Sequence, residues 1–343
     1  MAYVGVLDDI RACVARVTPS RVPVFGISQE FDVRMAGVTH DAYGCDADAM
    51  VKVHTQAVER SDLDWVFHIP DDYPQFEPLG VQTKPMPGAP RAPLVYPELS
   101  ERVIRQLRTP DFRTQGRMPA FLEAVQRIKQ RFGDTICMTG NVSGPFGSVA
   151  LMWGIDQALL LLVDEPALFE RAMDFFVELQ IGWGQAQLEA GADAIWLGDC
   201  VATSAFISAD DYVQFALERT RLVADALRQA GAIIFYHGGE KSINHLEHMV
   251  KVGADAMNIG EGADLAAVKQ AFGHKSCLMG NIDGIAVLEH GSVEQVRAET
   301  TRIMTIGKPG GGYIFNSGEG ISYHAKQQNM HAMVAGAREH GRY

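Results

Sequence analysis

The sequence predicts a single closed (β/α)8 (TIM) barrel over residues 1–343, and three observations predict it. Eight short apolar runs alternate with amphipathic helical segments along one continuous length, the pattern of parallel strands covered by helices. The turn after the first apolar run, GISQEF, lacks the GxGxxG of a doubly wound open sheet, which is the alternative fold. With 343 residues, 47% of them hydrophobic, the chain can form one large core, although length alone would allow two domains.

The first part of the chain contains two of the strands. An N-terminal helical extension is predicted over residues 1–20, where apolar residues recur near helical spacing before a Thr-Pro-Ser stop. RVPVFG (21–26) is the first buried strand and, after a helix at 46–62, DWVFHI (64–69) is the second. Residues 73–117 are rich in proline, glycine and arginine and form a long loop excursion, which a compact domain keeps mainly to cover a site; a disordered insertion is the alternative.

Each of the other six strands follows a predicted helix. The helices are predicted at 118–132, 148–190, 208–229, 242–251, 264–272 and 293–306, with a closing helix at 323–339. The strands are TICMTGN (135–141), GADAIWLGD (191–199), AIIFYH (232–237), ADAMNIG (254–260), SCLMGN (276–281) and GGYIFNS (311–317).

Composition excludes several classes of function. A formal net charge of -12 argues against a nucleic-acid or anionic-membrane surface. The longest apolar run, Ala158 to Val163, is too short to span a bilayer, and the N-terminus does not have the pattern of a secretion signal. Five scattered cysteines without a CxxC pair indicate a reducing cytoplasm and no disulfide framework.

The polar residues that follow the apolar runs are the candidate site, because a barrel of this kind carries its chemistry at the C-terminal ends of its strands. They are rich in carboxylates and amides, with one imidazole and one thiol and no lysine or arginine. Such a ring suits a cation better than a phosphate. Its members are Ser28, Gln29, Glu30, Asp71, Asp72, Asn141, Asp199, Cys200, His237, Asn258, Glu261, Asn281, Asp283, Asn316 and Glu319.

The run AIIFYHGGE ends a buried strand at His237, whose imidazole must therefore be hydrogen-bonded or bound to something. His237, Glu319 and either Asp199 or Cys200 would supply three ligands to a catalytic zinc and leave a fourth position open. Neither HExxH nor a cysteine-rich spacing is present, so this metal hypothesis comes from position only. A metal-free hydrogen-bonded network of His237, Asp199 and Glu319 is the alternative.

The run GNIDGIAVLEHGSVEQVRAETTRIMTIGKPGGGYIFNSGEGIS (280–322) resembles the C-terminal part of the uroporphyrinogen decarboxylase superfamily. That superfamily typically has a GN-x-D segment, a helix, GGGYIF and then a glycine-flanked polar residue. The resemblance continues back through GADAIWLGD, TGNVSGPFGS and DWVFHIPDDYPQFEPLG to RVPVFG, and so covers nearly the whole chain. It implies a (β/α)8 barrel.

The resemblance to the decarboxylase itself is poor at the residues that bind its substrate and catalyse its reaction. The decarboxylase typically has an N-terminal loop similar to MRQAGRY, in which the two arginines bind substrate carboxylates. In this chain Ser28 and Asp32 occupy the positions of those two arginines. Asp71 matches the carboxylate that holds the pyrrole nitrogens, whereas Leu151 replaces a tyrosine and Glu319 a histidine. Without the two cations, decarboxylation of a polyanionic porphyrinogen is not expected.

The other branch comprises the corrinoid-dependent methyltransferases, including the methylcobamide:coenzyme M enzymes and the O-demethylase methyltransferases of anaerobes. The coenzyme M enzymes typically have an H-x-C motif after the fifth strand and a second cysteine in the last glycine-rich turn. All three of these side chains bind zinc. His237 stands at the histidine, Gly239 at the first cysteine and Glu319 at the second. These harder ligands suit a zinc that acts as a Lewis acid on an ether or phenol oxygen, not one that activates a thiol.

The resemblance therefore implies a zinc-dependent methyltransferase that moves a methyl group from a small methylated donor to the Co(I) of cobalamin. The chain is too short to carry its own corrinoid domain, so a separate corrinoid-binding protein is the expected partner. An aryl methyl ether is the favoured donor, because a phenolate leaves more readily than an alkoxide. A homodimer is compatible with the sequence.

The predicted roles divide the candidate residues into three groups. The catalytic residues are His237, Glu319 and Asp71, with Asp71 as the acid, and the metal ligands are His237, Glu319 and Cys200. An apolar pocket could be walled by the aromatic residues Phe25, Phe31, Tyr73, Trp196 and Tyr236. Substrate contacts are predicted for Ser28, Gln29, Asp72, Tyr73, Asn141, Tyr236 and Asn281.

Three other functions stay open at this point. One is a methylcobamide:thiol methyltransferase, which would methylate a thiol from free methylcobalamin. Another is a decarboxylase of a non-porphyrin acid, which would release carbon dioxide without a corrinoid. The third is a non-catalytic barrel that binds a ligand or partner, whose ligand affinity would not depend on His237.

Overall fold

The computed structural model describes residues 3–343, and its largest sheet has seven parallel strands in the order β1-β4-β5-β6-β7-β8-β9. Strands β2 and β3 form a separate antiparallel hairpin. The strands are β1 (Trp65–Phe67), β2 (Gln82–Met86), β3 (Ala89–Val95), β4 (Cys137–Ser143), β5 (Ala194–Gly198), β6 (Ile233–His237), β7 (Ala256–Asn258), β8 (Cys277–Met279) and β9 (Tyr313–Ile314).

The segment 21–26, predicted as the first strand, bonds to both edges of this sheet. The Phe25 N–H donates to the Phe315 carbonyl beyond β9 at 2.8 Å, and the Asp64 N–H donates to the Val24 carbonyl before β1 at 2.9 Å. Val24 and Phe315 form a parallel bridge. The segment stays short of a regular strand partly because its proline has no N–H to donate. The sheet therefore curls round so that both edges meet this segment, as the predicted barrel requires.

Helices separate the strands as the sequence predicts. They are α1 (Val6–Val14), α2 (Gln29–Met35), α3 (His40–Cys45), α4 (Ala47–Ser61), α5 (Glu101–Gln106), α6 (Met118–Phe132), α7 (Pro145–Trp153), α8 (Ile155–Asp164), α9 (Pro166–Ala190), α10 (Ala209–Asp211), α11 (Leu217–Gln229), α12 (Ile243–Met249), α13 (Leu265–Phe272), α14 (Val293–Gly307) and α15 (Gln327–Gly341). Short 3-10 turns lie at Glu77–Leu79, Gly133–Thr135 and Val250–Val252, and a π-helical turn at Tyr212–Ala216 joins α10 to α11.

Two helix predictions need correction. The N-terminal helix covers only Val6–Val14 instead of 1–20, and the first two residues of that prediction lie outside the described part of the chain. The helix predicted over 148–190 is three helices, because Gly154 takes a left-handed φ of 90° and Pro166 starts a new helix.

Within residues 3–343, no single helix is long and apolar enough to cross a membrane; α7 and α8 reach that threshold only as a pair bent by 116°.

The excursion at 73–117 is an ordered structure and not the disordered insertion left open by its composition. It contains the hairpin β2–β3 and helix α5. Arg91 of β3 pairs with Asp41 of α3, and Arg117 donates to the Gly44 carbonyl of the same helix at 2.8 Å. These contacts hold the excursion beside the C-terminal ends of the strands.

Aromatic side chains fill the barrel below those strand ends. The Phe25 ring stacks on Trp65 with centroids 4.3 Å apart, and Trp65 stacks on Phe67 at 5.2 Å. Phe67 in turn contacts Trp196 at 5.0 Å. This buried stack gives the mouth of the barrel a rigid apolar floor.

Candidate active site

A cavity of about 230 Å³ opens at the C-terminal ends of the strands; we call it the inner cavity. A cavity of ~150 Å³ can hold benzene, so the inner cavity has room for a substituted aromatic ring. Its walls are mainly apolar with a few polar groups, as in small-molecule sites. The lining residues are Ile27, Gln29, Phe67, Ile69, Asp72, Asn141, Ser143, Gly147, Leu151, Trp196, Gly198, Cys200, Val201, His237 and Glu319.

His237 ends β6 and is only 6% exposed. Its Nε2 lies 3.5 Å from Oε2 of Glu319, which follows β9, so the two groups reach each other across the mouth. On the other side of the ring, Nδ1 lies 3.2 Å from the Asn258 amide nitrogen. The ring also lies 4.9 Å from the Trp196 ring, measured between centroids. The imidazole is therefore held in one orientation toward the cavity.

His237 and Glu319 shift each other's pKa values toward the charged forms. Burial lowers the pKa of His237, but the neighbouring Cys200 and Glu319 outweigh it and raise the pKa to about 10. Burial raises the pKa of Glu319, whereas the hydrogen bond and charge of His237 lower it, with a lowered pKa as the net result. Without a metal, the pair is thus an imidazolium beside a carboxylate.

Gly239 explains how Glu319 reaches this position. The glycine has a φ of 68°, and a Cβ built on it would overlap the Glu319 carboxylate. The Glu319 carboxylate therefore occupies the space that a side chain at position 239 would need. In the resemblance to H-x-C enzymes, position 239 is that of a cysteine ligand, so the carboxylate stands where that ligand would be.

Two of the predicted zinc ligands are already spaced for the ion. Nitrogen and oxygen ligands at ~2.0–2.2 Å from a tetrahedral zinc lie roughly 3.4 Å apart. The observed 3.5 Å between His237 Nε2 and Glu319 Oε2 matches this spacing. Cys200 lines the same cavity, and its proximity is one of the causes that raise the pKa of His237. Among residues 3–343 no three histidine, cysteine or acidic side chains are arranged to hold an ion as they stand, so Cys200 would have to turn to complete the site.

Asp199, the other predicted third ligand, points away from the cavity. Its Oδ1 accepts a hydrogen bond from the Gly147 N–H at 2.8 Å, and its Oδ2 accepts one from Thr220 at 3.3 Å. Burial raises the pKa of this carboxyl to about 7. Asp199 thus fastens β5 to the start of α7, and of the two alternatives the geometry favours Cys200.

The prediction of Asp71 as the catalytic acid is not supported by its contacts. Arg117 donates to both oxygens of Asp71, at 2.6 and 2.9 Å, and the Tyr73 N–H donates to Oδ1 at 2.9 Å. Asp71 does not line the inner cavity. A carboxylate that forms a bidentate ion pair with a buried guanidinium is poorly suited to give up a proton.

The adjacent Asp72, predicted only to contact substrate, is better placed to act as the acid. Its side chain lines the inner cavity and is exposed to it. Partial desolvation and the neighbouring Asp71 raise the pKa of the Asp72 carboxyl, His237 opposes them, and the result is a pKa of about 6. A carboxyl with this pKa is partly protonated near pH 6 and can therefore act as a proton donor.

The other predicted substrate contacts divide into two groups. Gln29 and Asn141 line the inner cavity, as does Trp196 of the predicted aromatic wall. Tyr236 does not line the inner cavity, because alternate residues of a strand point to opposite faces. Tyr236 lies between Phe235 and His237 and points outward, and its hydroxyl lies 3.0 Å from the Tyr212 hydroxyl.

Ser28, Tyr73 and Asn281 also lie outside the inner cavity. The Ser28 hydroxyl donates to Asp32 at 2.6 Å. The Asn281 amide donates to the Gly260 and Ala263 carbonyls at 3.1 and 3.0 Å. Burial and the nearby Tyr96 of the excursion raise the pKa of Tyr73. These turn residues satisfy backbone and loop groups, a role that the order of the residues does not reveal.

Phe67 and Ser143 line the inner cavity but were not predicted to do so. Phe67 is on the same face of its strand as Trp65, and Ser143 lies two residues beyond Asn141 in β4. The period of two in a strand could have identified both. Ser143 was overlooked because β4 continues past the predicted strand end at 141.

The fold and this cavity together define a barrel of the (β/α)8 type with a small-molecule site at its strand ends. The model of the uroporphyrinogen decarboxylase (URO-D) family matches residues 7–340, and the chain belongs to this family. The resemblance seen in the sequence is therefore confirmed.

Curated relatives come from both branches of the superfamily. The chain is 26% identical over 231 residues to the methylcobamide:CoM methyltransferase MtaA of Methanosarcina barkeri, covering 67% of this chain and 66% of that protein. It is 28% identical over 247 residues to the uroporphyrinogen decarboxylase of Methylococcus capsulatus, covering 69% and 68%. The chain thus matches about two thirds of the length of these relatives.

A solved structure described as a methyltransferase from Methanosarcina mazei superposes with a TM-score of 0.88. It covers 97% of this chain and 98% of its own length at 22% sequence identity. This likeness shows that the two chains share a fold over their whole length.

Proposed function

We propose that this protein is a corrinoid-dependent methyltransferase that moves a methyl group from a small methylated molecule to cobalamin on a separate corrinoid protein. Family membership and the methyltransferases among its relatives support the class. The proposal depends most on one observation, the His237–Glu319 pair spaced at 3.5 Å beside an apolar cavity of ring size.

The donor set points to an oxygen-linked methyl group. His237, Glu319 and Cys200 would hold zinc, and a bound zinc supplies a Lewis acid that polarises an ether oxygen. A carboxylate in the place of a cysteine leaves the ion harder, which suits oxygen better than sulfur. An aryl methyl ether fits both this preference and the aromatic floor of Phe67 and Trp196.

The residues of the chain have distinct tasks in this reaction. Phe67 and Trp196 would orient the ring, and the apolar walls exclude water. The Co(I) of the partner's cobalamin would supply the electron pair for the new bond to the methyl carbon, while the bond from that carbon to the ether oxygen would break and leave its electron pair on oxygen. Asp72 gives its proton to the oxygen that leaves.

Metal analysis of the purified protein beside its His237→Ala and Glu319→Ala variants tests the site. We expect about one zinc per chain in the wild type and in His331→Ala, a matched control at an exposed position of α15, and loss of zinc from the two site variants. Methyl transfer from an aryl methyl ether to cob(I)alamin should fall in the same two variants. Equal metal content in all four proteins would contradict the site.

A methylcobamide:thiol methyltransferase is the second candidate, because relatives are methylcobamide:CoM methyltransferases and Cys200 lines the same cavity as His237. Methyl transfer from free methylcobalamin to a thiol, without activity on ethers, would identify it. A decarboxylase of a small acid has less support, since among residues 3–343 no lysine or arginine lines the inner cavity.

The remaining predictions concern the cell and the assembly. All five cysteines are free, and a location in the cytoplasm stays a prediction. Dimerisation and the docking of a corrinoid protein against the excursion at 73–117 stay predictions, which sedimentation with and without a corrinoid protein would examine.

A further inference from the structure

Asn258 ends β7 and is the register partner of His237, which ends β6. Its side chain is buried, and its amide nitrogen has two neighbours. One is Nδ1 of His237 at 3.2 Å, and the other is the Gly318 carbonyl, which accepts a hydrogen bond at 2.9 Å. Gly318 directly precedes Glu319 in the chain. One amide nitrogen therefore contacts both segments that carry the predicted histidine and carboxylate ligands.

The neighbours of the Asn258 amide fix which of its ends faces the imidazole. A carbonyl oxygen can only accept, so the end of the amide beside Gly318 has to be the nitrogen. The Asn258 oxygen, at the other end, accepts a hydrogen bond from the Asn316 amide at 3.0 Å. Asn316 is fully buried, and its own oxygen has no partner among the described residues. The Asn258 amide thus presents a donor, and not an acceptor, to Nδ1 of His237.

A donor at this point does not match an imidazole that binds zinc. A neutral ring that binds the ion through Nε2 carries its proton on Nδ1, and ligating histidines almost always donate that proton to a carboxylate, a carbonyl or water. In His237 this Nδ1–H would face the N–H of Asn258, with the two nitrogen atoms 3.2 Å apart. An imidazolium meets the same conflict, so the amide opposes the effect of Glu319 and Cys200 on the charge of His237.

A turn of the amide about its own axis removes this conflict. The Asn258 oxygen would then accept from Nδ1–H, and the amide nitrogen would face Asn316. If Asn316 turns as well, its oxygen, which now has no partner, accepts from Asn258. The hydrogen bond that is lost is the one to the Gly318 carbonyl. One such bond changes an equilibrium constant by about fivefold to tenfold, so either arrangement is within reach of the other.

We propose that Asn258 is a positioning residue of the metal site and that zinc binding to Nε2 of His237 is coupled to a turn of the Asn258 and Asn316 amides. This inference rests on the proposed zinc site. The coupling weakens the binding of zinc, because the ion binds only when the Asn258–Gly318 hydrogen bond is broken. An amide oxygen also raises the basicity of the imidazole less than a carboxylate would, which leaves the ion a stronger Lewis acid.

Zinc affinities of two Asn258 variants test the coupling, because both variants lose the bond to Gly318 and only one keeps an acceptor. Asn258→Asp places a carboxylate oxygen beside Nδ1 and needs no turn, so we expect about tenfold tighter zinc binding than in the wild type. Asn258→Leu has a similar shape and no acceptor, and it should bind zinc about tenfold more weakly. Competition of the full chain with a fluorescent zinc chelator measures all three affinities.

A buried amide elsewhere in the chain supplies the matched control. The Asn329 amide of α15 donates to the Leu288 and Gly291 carbonyls, and Asn329 does not line the inner cavity. Asn329→Leu should therefore lower the stability and leave the zinc affinity unchanged. Urea unfolding of every variant shows that the affinities belong to folded protein.

Asn316→Asp separates the turn of the amides from a simple effect of charge. A carboxylate at position 316 can only accept, so it favours the turned Asn258 amide and should tighten zinc binding about threefold to tenfold. In the Asn258→Leu background there is no amide to turn, and the same change should have little effect. Attraction between zinc and an added negative charge would instead act in both backgrounds.

The outcomes separate the coupling from the zinc site itself. Zinc binding by Asn258→Asp that is as weak as in Asn258→Leu would overturn the coupling and leave the site intact. An equal effect of Asn316→Asp in both backgrounds, or wild-type affinity in Asn258→Leu, would do the same. If the wild type binds no zinc, the proposed site and the coupling fail together.

Discussion

Two histidines stand at the ends of buried strands in this protein, and their surroundings are opposite. His68 follows β1, is fully buried, and its Nδ1 lies 3.0 Å from Nε2 of His54, which also contacts the Tyr43 hydroxyl at 2.9 Å. His237 ends β6 and faces Glu319 and Cys200 in the inner cavity. Burial and the nearby His54 hold the pKa of His68 well below its usual range, whereas the pKa of His237 is raised to about 10.

The difference lies in the partners and not in the burial. Both rings are desolvated, and desolvation alone favours the neutral form. Only His237 has a carboxylate and a thiol beside it, so only His237 can stabilise positive charge, whether a proton or a metal ion. His68 packs against the Phe121 ring with centroids 4.1 Å apart, as a core residue does.

The largest expected effect comes from removing each imidazole in turn. His237→Ala should reduce methyl transfer by roughly 1,000-fold, because several kcal/mol of stabilisation by a bound metal is lost. His68→Ala should instead lower the free energy of unfolding by about 2–4 kcal/mol, through the cavity that it leaves and the lost hydrogen bond to His54. Steady-state rates and urea unfolding of both variants measure this separation. Loss of activity in folded His68→Ala at the level of His237→Ala would remove the distinction.

The adjacent carboxylates near His237 should respond differently as well. Asp72→Asn should reduce kcat about 100-fold and remove a pH-dependent step near pH 6, since the proton donor is absent. Asp71→Asn should mainly destabilise the fold, because Arg117 loses a buried partner. Rates between pH 5 and 8 for both variants, with unfolding curves, distinguish the roles. An unchanged pH profile in Asp72→Asn would show that another group donates the proton.

A smaller loss is expected from crowding Glu319 without removing it. Gly239→Ala places a methyl group where the carboxylate lies, so zinc affinity should fall about 10-fold to 100-fold. Gly253→Ala is the matched control, since its φ of 73° is similar and nothing lies within 4 Å of a Cβ there. Competition with a fluorescent zinc chelator measures both. Equal affinity in the two variants would mean that the carboxylate does not need this space.

The smallest effect concerns the buried pair of His54 and His68. Burial lowers the pKa of His54 to about 3, below its unfolded value of ~6.5, so its contribution to stability is present above pH 6.5 and is lost as the pH falls toward 3. His54→Gln should therefore flatten the acid side of the stability curve by up to about 1.4 kcal/mol per pH unit. Urea unfolding at pH 7, 6 and 5 gives the slopes, and parallel slopes for variant and wild type would argue against a neutral buried His54.

The sequence was a good guide wherever a local pattern decides the structure. The six strands from β4 to β9 lie at the predicted apolar runs, and α6 matches the predicted 118–132. Gln29, Asn141, Asp72, Cys200, His237 and Glu319 all line the inner cavity as residues at strand ends should. The family that the sequence motifs resembled is also the family whose model matches residues 7–340.

The errors arose where partners from distant parts of the chain decide. Asp71 and Asp72 are indistinguishable by position, yet Arg117, 46 residues away along the chain, pairs with only one of them. Tyr236 was predicted to contact substrate as an aromatic residue near a strand end, although strand geometry turns it outward toward Tyr212.

By itself the sequence determined the order of strands and helices, the family and the polar ring at the strand ends, because periodicity, turn residues and strand direction are local properties. Only the tertiary structure decided which members of that ring face the inner cavity, which are paired elsewhere, and that Glu319 fills the space above Gly239. These outcomes depend on distances between residues far apart in the chain, which are set only when the barrel brings its strand ends together.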